Sequence, residues 1–296
     1  TATFAAALTQ VQEVSSSSAG AVAAVSPLEP VSIFKSQAFP WTEARHPLLQ
    51  QKSTKADGKV SYRTKMTGRI LSLMENHQVW GQVIIPGAAY LEAASAAARD
   101  LSKRKDEAVV VRDVMFEAPF ILESSEGVPE GAIFEVLVQP DGAYEIRKAS
   151  GSEGAEGETT HGRGRIETQQ RPSSDRLVPR FVPEEVKGRC TEEVVAERLY
   201  EVLRELGLEF GPRFQTIQHG YRGENEALGR LSVPAGAEGW ESKFHLHPAV
   251  LDGSLQLVAL ASASGGQQQG EPYLPYSVRS MTVHKPMRGT VWGHAR

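Results

Sequence analysis

The chain has 296 residues, 40% of them hydrophobic, enough for a sizeable core in one large or two ordinary domains. A formal net charge of −4 gives no electrostatic reason to expect nucleic acid or an anionic membrane as partner, and no apolar run reaches the ~18 residues of a membrane helix. The single cysteine, Cys190, excludes an intrachain disulfide framework and a Cys-based zinc site, and it fits a reducing compartment, the cytoplasm.

Residues 1–38 read as a flexible Ala/Ser-rich linker or tail, with the run Ser15-Ser16-Ser17-Ser18 and no Lys or Arg before residue 35. Order is expected from Phe39-Pro40-Trp41 into His46-Pro47-Leu48-Leu49. Val60 to Leu73 reads as strands. Pro86 to Ala98 reads as a helix, opened by proline, rich in alanine and apolar on nearly all sides, hence buried. Four extended runs follow, Ala108 to Phe116, Ala132 to Gln139, Ala143 to Lys148 and Thr159 to Thr168, with Pro140-Asp141-Gly142 as one of the turns of a meander.

Residues 171–185, rich in Pro, Arg and Ser, read as a linker. Glu192 to Leu206 then reads as an amphipathic helix with Val195, Leu199, Val202 and Leu203 on one side. Strand-like segments at Thr216 to Tyr221 and Ala227 to Val233 precede a second apolar helix, Pro248 to Leu257, and strands at Tyr273 to Val283 and Thr290 to His294. The pattern predicts an α+β chain of two similar halves, 39–170 and 186–296, each a sheet wrapped around one helix. The second half shows two extended runs after its helix against four in the first. It is therefore expected to be truncated, with about two further strands beyond Arg296, because a sheet short of strands leaves an unpaired edge.

Two constellations carry chemistry. In the first, His77, Gly81 and Pro86 form an HxxxGxxxxP pattern that puts a histidine just before the first buried helix. Neutral histidine in apolar surroundings can accept a proton, and the Gly87 amide at the helix N-terminus can stabilise a developing oxyanion. A core histidine bonded to a backbone carbonyl is the alternative for His77. In the second, His247, Pro248, Asp252 and Gln256 place a carboxylate inside the other apolar helix, with Gln256 one turn on to orient it. Burial raises a carboxyl pKa and keeps an acid ready to donate, whereas a solvent-facing Asp252 would be inert. Gly207-Leu208-Glu209-Phe210-Gly211-Pro212-Arg213-Phe214 and Leu274-Pro275-Tyr276-Ser277 read singly as loops with aromatic anchors.

Together these four segments resemble the dehydratase domain of modular polyketide synthases and animal-type fatty acid synthases. The family's HxxxGxxxxP falls on His77, Gly81 and Pro86, and its GYxYGPxF partly on Gly207, Gly211, Pro212 and Phe214. Its HPxxxDxxx(Q/H) falls on His247, Pro248, Asp252 and Gln256, and its LPF-like motif on Leu274, Pro275 and Tyr276. Leu208 and Phe210 stand where the family often has tyrosines, so a tyrosine role is not carried over.

The resemblance implies a double hot-dog fold and dehydration of a β-hydroxyacyl thioester to the α,β-unsaturated thioester. The substrate is then carried on the phosphopantetheine of an acyl carrier protein, with no cofactor bound by the domain itself. His77 is the implied base, Asp252 the acid, Gly87 the oxyanion donor and Gln256 the orienting group. Gly81, Pro86, Phe210, Gly211, Pro212, Pro248, Leu274, Pro275 and Tyr276 are the implied pocket residues. Implied partners are the carrier protein, neighbouring synthase domains and a second copy in a homodimer.

Rival readings are an enoyl double-bond isomerase, a cyclising domain of pyran-forming or product-template type, and a catalytically silent domain for dimerisation and carrier docking. An intact Asp252 speaks against the isomerase. His245-Leu246-His247 has a spacing found in metal sites but no apparent third ligand, so no metal is expected. Glu92 is a rival buried acid.

Overall fold

The computed structural model describes residues 41–102, 104, 106–122, 132–149, 159–170, 181–233, 239–262 and 274–296. The expected tail at 1–38 and most of the expected linker at 171–185 lie outside them.

Three strands open the described chain: β1 (Thr42–His46), β2 (Leu49–Thr54) and β3 (Val60–Lys65). The extended reading then ends early, because Gly68–Met74 is a helix, α1. Its buried residues, Ile70, Leu73 and Met74, have the three- and four-residue spacing of a helix face rather than the alternation of a strand. Next come β4 (His77–Val79) and β5 (Gln82–Val83), a hairpin closed by Trp80 and Gly81 at φ 48° and 73°. Two successive positive φ angles are what a two-residue type I′ turn requires, and glycine supplies one of them without strain.

Helix α2 (Gly87–Leu101) is buried from Ala88 through Ala98, as its all-round apolar surface predicts. The four expected strands follow as β6 (Ala108–Phe116), β7 (Ile133–Val138), β8 (Ala143–Ala149) and β9 (Thr159–Gln169). They enclose α2 in the order β1-β2-β3-β7-β8-β9-β6.

In the second half, α3 (Pro183–Lys187) occupies the end of the stretch read as linker. The helix expected over 192–206 is shorter: Glu192–Val194 is a strand, β10, and α4 runs only over Ala196–Glu205. Pairing overrides helix propensity here, since Glu193 and Val194 lie opposite Tyr221 and Gly220. After β11 (Leu208–Phe210), β12 (Ile217–Gly223) and β13 (Glu226–Ser232) comes α5 (Pro248–Ser262), then β14 (Ser277–Val283) and β15 (Thr290–Ala295). The sheet β10-β12-β13-β15 packs on α5, so each half wraps a sheet around one helix, the double hot-dog arrangement.

The halves are interlocked rather than merely adjacent, and residues 39–296 form one compact unit. β14 leaves its own half to pair with β6, from Ser277 opposite Met115 to Val283 opposite Val109. β11 pairs with β4, which places Leu208 against Val79 and Phe210 against His77. Helices α2 and α5 pack on each other between these two seams.

Candidate active site

His77 is buried at the start of β4. Its Nδ1 lies 2.8 Å from the carbonyl oxygen of Ile84, an acceptor, so Nδ1 carries the proton and Nε2 keeps a lone pair. Phe210 and Phe214 meet the imidazole edge to face at 5.5 and 5.4 Å between centroids. The residue before it, Asn76, is held by the second half. Its backbone carbonyl accepts the Gly211 N–H at 2.8 Å and its Oδ1 accepts the Arg213 N–H at 3.2 Å.

Asp252 lies in the first turns of α5, 8% exposed. Gln256 Nε2 donates to its Oδ2 at 2.9 Å, one helical turn away. Burial raises the Asp252 carboxyl above its ordinary range, against the opposing pull of His77 and the Gln256 hydrogen bond. His77 Nε2 stands 3.9 Å from Asp252 Oδ1, too far for a hydrogen bond and close enough for both to address one bound molecule.

Both side chains face a cavity of about 300 Å³. Gly87 lies on its wall at the N-terminus of α2, where first-turn N–H groups have no intrahelical acceptor. Most of the remaining lining is apolar, including Val79, Ile85, Tyr90 and Phe116. Pro86, Leu274, Pro275 and Tyr276 line it as expected, and Phe116 N–H fastens this last segment by donating to the Tyr276 carbonyl at 3.0 Å.

Five expected pocket residues do not line the cavity. Gly81 is in the exposed β4–β5 turn, where its N–H reaches Glu209 Oε1 at 3.1 Å. Phe210 buttresses the far side of His77, and Gly211 packs on Asn76 so closely that an added Cβ would lie 2.5 Å from Asn76 Oδ1. Pro212 is exposed in the following turn, and Pro248 opens α5 from within the core. Phe210 and Gly211 back the base-bearing strand, and Pro248 starts the helix that carries the acid.

No motif or periodicity singles out Glu241, yet it joins two of the motifs. Its buried carboxylate pairs with Arg213 of the Gly211–Phe214 turn and accepts from His247 Nε2 at 2.9 Å. Burial, aided by the Arg213 guanidinium, pushes the His247 imidazole down to about 4, so near neutral pH it is an uncharged donor to Glu241. His245 and His247 therefore diverge. His245 instead stacks on His46 with centroids 6.2 Å apart, beside Glu92.

Two family models match the chain. One, described as a polyketide synthase dehydratase domain, covers residues 46–147, and the other, described as a polyketide synthase dehydratase N-terminal domain, covers residues 179–296. Polyketide synthase GfsE of Streptomyces halstedii is 30% identical over 81% of this chain and 6% of its own length. Polyketide synthase PksN of Bacillus subtilis is 27% identical over 84% of this chain and 4% of its own. The chain thus spans a few per cent of the synthases it matches. The dehydratase domain from the CurF module of curacin polyketide synthase superposes with a TM-score of 0.73 at 26% identity, covering 84% of this chain and 87% of that one. This chain belongs to the polyketide synthase dehydratases, hydro-lyases of the double hot-dog fold.

Proposed function

We propose that this domain removes water from a β-hydroxyacyl thioester, with His77 as the base and Asp252 as the acid. The carrying observation is the 3.9 Å approach of His77 Nε2 to Asp252 Oδ1 at one cavity that Gly87 also lines. His77 Nε2 takes the α-proton, and the thioester oxygen gathers charge against the Gly87 N–H. Asp252, whose protonated form burial favours, gives its proton to the β-hydroxyl as the C–O bond breaks. Water leaves and the carbon–carbon double bond forms. Gln256 keeps the Asp252 carboxyl turned to the cavity. Each step moves only protons and electron pairs among these groups, so the scheme calls on no cofactor.

Two variants of one further dehydratase support the assignment. The CurK dehydratase, 25% identical, is described as inactive with one histidine replaced by phenylalanine and, separately, with one aspartate replaced by asparagine. By the same reading the acyl chain arrives on the phosphopantetheine of an acyl carrier protein, and neighbouring synthase domains and a second copy of this chain are its partners in the cytoplasm. None of the described helices is long and apolar enough to cross a membrane.

The test is mass spectrometry of each β-hydroxyacyl pantetheine thioester diastereomer after incubation with the chain. One diastereomer is expected to lose water, and His77→Phe and Asp252→Asn are each expected to slow the loss by at least ~10²-fold. Double-bond migration without water loss would favour an isomerase, and carrier binding without turnover would favour a silent docking domain.

A further inference from the structure

Glu92 lies on α2 beyond Gly87 and has no exposed surface. Its Oε1 accepts the His245 N–H at 2.7 Å and its Oε2 accepts the Leu246 N–H at 3.0 Å. His46 Nε2 lies 2.9 Å from Oε1. His46 Nδ1 accepts the Leu48 N–H at 3.2 Å, so the ring proton is on Nε2 and points at Glu92. One buried carboxylate thus collects three donors, two of them backbone amides from the other half of the chain.

His46, Glu92 and His245 have the composition of a metal site, with ligand atoms within 4.8 Å of one another. The proton arrangement argues against it. A protonated Nε2 has no lone pair to give, and both Glu92 oxygens are already occupied. Arg99 and Arg288 add positive charge beside His245. What the cluster does instead follows from where its donors sit. His245 and Leu246 immediately precede His247-Pro248, where α5 begins, and Asp252 lies in the first turns of that helix.

We infer that Glu92 is a positioning residue that fastens the start of α5 to α2 and so sets Asp252 in place against His77 and Gly87. The inference rests on the functional reading above. The base and the oxyanion donor belong to the first half and the acid to the second, so a tether between α2 and the entry to α5 fixes their mutual distance. A buried carboxylate is kept there because its desolvation is offset by three donors, none of which has another partner among the described residues.

Two measurements on the whole 296-residue chain test it. Glu92→Gln keeps one acceptor oxygen, turns an amide NH2 onto one of the three donors and opens no cavity. It is expected to lower kcat by ~10-fold or more while KM stays within about 2-fold, because a small displacement of a catalytic group costs rate more than binding. In the unaltered chain, the amide hydrogens of His245 and Leu246 are expected to exchange as slowly as those in the middle of α2, and faster in Glu92→Gln. Unchanged kcat in a folded Glu92→Gln overturns the inference. So does fast exchange of the two amides in the unaltered chain, a result that needs no variant to fold. Absence of turnover in the unaltered chain would count against the dehydratase reading instead, and the exchange rates would still decide the tether.

Discussion

His77 and Phe210 stand directly opposite each other in the antiparallel pair β4–β11, and their rings meet edge to face with centroids 5.5 Å apart. That single register joins two motifs from different halves of the chain. The Gly207–Phe214 segment therefore acts on the site through the imidazole and the backbone of the base-bearing strand, not as part of the cavity wall. The same construction repeats on the acid side, where side chains of the first half hold the entry to α5.

Gly253, next to Asp252, is a first test of how tightly α5 is set. In an exposed helix, Gly→Ala stabilises by ~1 kcal/mol. Here an added Cβ would lie 2.1 Å from Thr216 Oγ1 and 2.7 Å from Leu231 Cδ2. The steric conflict wins, because Thr216 and Leu231 are both buried and cannot recede. Gly253→Ala is expected to lower the melting temperature and to reduce turnover more than it alters substrate binding. A raised melting temperature would show that α5 sits looser on its sheet than these distances say.

The β4–β5 turn offers a second test. Gly81 has φ 73°, a conformation that costs a residue with a Cβ ~1 kcal/mol. An added Cβ would meet nothing within 4 Å, so strain is the only penalty. Gly81→Ala is expected to destabilise by about that much in urea denaturation. Gly81→Asn, which tolerates positive φ, is expected to recover part of the loss. Equal stability of all three would mean that the turn does not need its type I′ shape.

The sequence made some of this legible and hid the rest for physical reasons. Helices α2 and α5 stand out because each is apolar on most sides and begins at or just after a proline. Strands β6 to β9 stand out because turn residues punctuate them. The Val60–Leu73 stretch holds a strand and a helix separated only by Met66 and Thr67, too short a break to show in composition. β11 has three residues, too few for any period, and exists because β4 lies beside it. His77 and Asp252 were readable from local motifs. Glu92 and Glu241 were not readable as tethers, since Glu92's amide partners and Glu241's Arg213 lie on segments that only the fold brings near.

The raised pKa of Asp252 predicts a pH dependence of both rate and stability. Its carboxyl sits above the ordinary 3.8 because of burial, so over the interval from that value up to the raised one the folded chain binds more protons than the unfolded chain. Stability from this group is therefore complete below the unfolded pKa and is lost as pH rises through the folded one. Asparagine cannot ionise and escapes the loss. Asp252→Asn is expected to melt higher than the unaltered chain at about pH 8 and to converge with it near pH 4. Turnover of the unaltered chain is expected to fall as pH rises through the raised Asp252 value and the acid loses its proton. A lower melting temperature for Asp252→Asn at both pH values would mean that the carboxylate is stabilised where it lies.

The Glu241 pairings give the last prediction. Glu241 is 4% exposed and takes Arg213 on one oxygen and His247 on the other. Glu241→Gln can still accept from His247 Nε2 but removes the negative charge facing the Arg213 guanidinium, whose side chain is 29% exposed. An unpaired, partly buried cation is costly, so the variant is expected to lose on the order of 2 kcal/mol in urea denaturation. Adding Arg213→Met removes the stranded charge while keeping an unbranched side chain of similar reach. The double variant is therefore expected to be more stable than Glu241→Gln alone, the mark of two coupled neighbours. Its turnover should stay low even so. Arg213 is fastened through its own N–H to Asn76, beside the base, and without the ion pair its side chain no longer ties that turn to His247 through Glu241. Additive losses across the two sites would mean that Arg213 and Glu241 act independently, and the link from base to acid through them would then be abandoned.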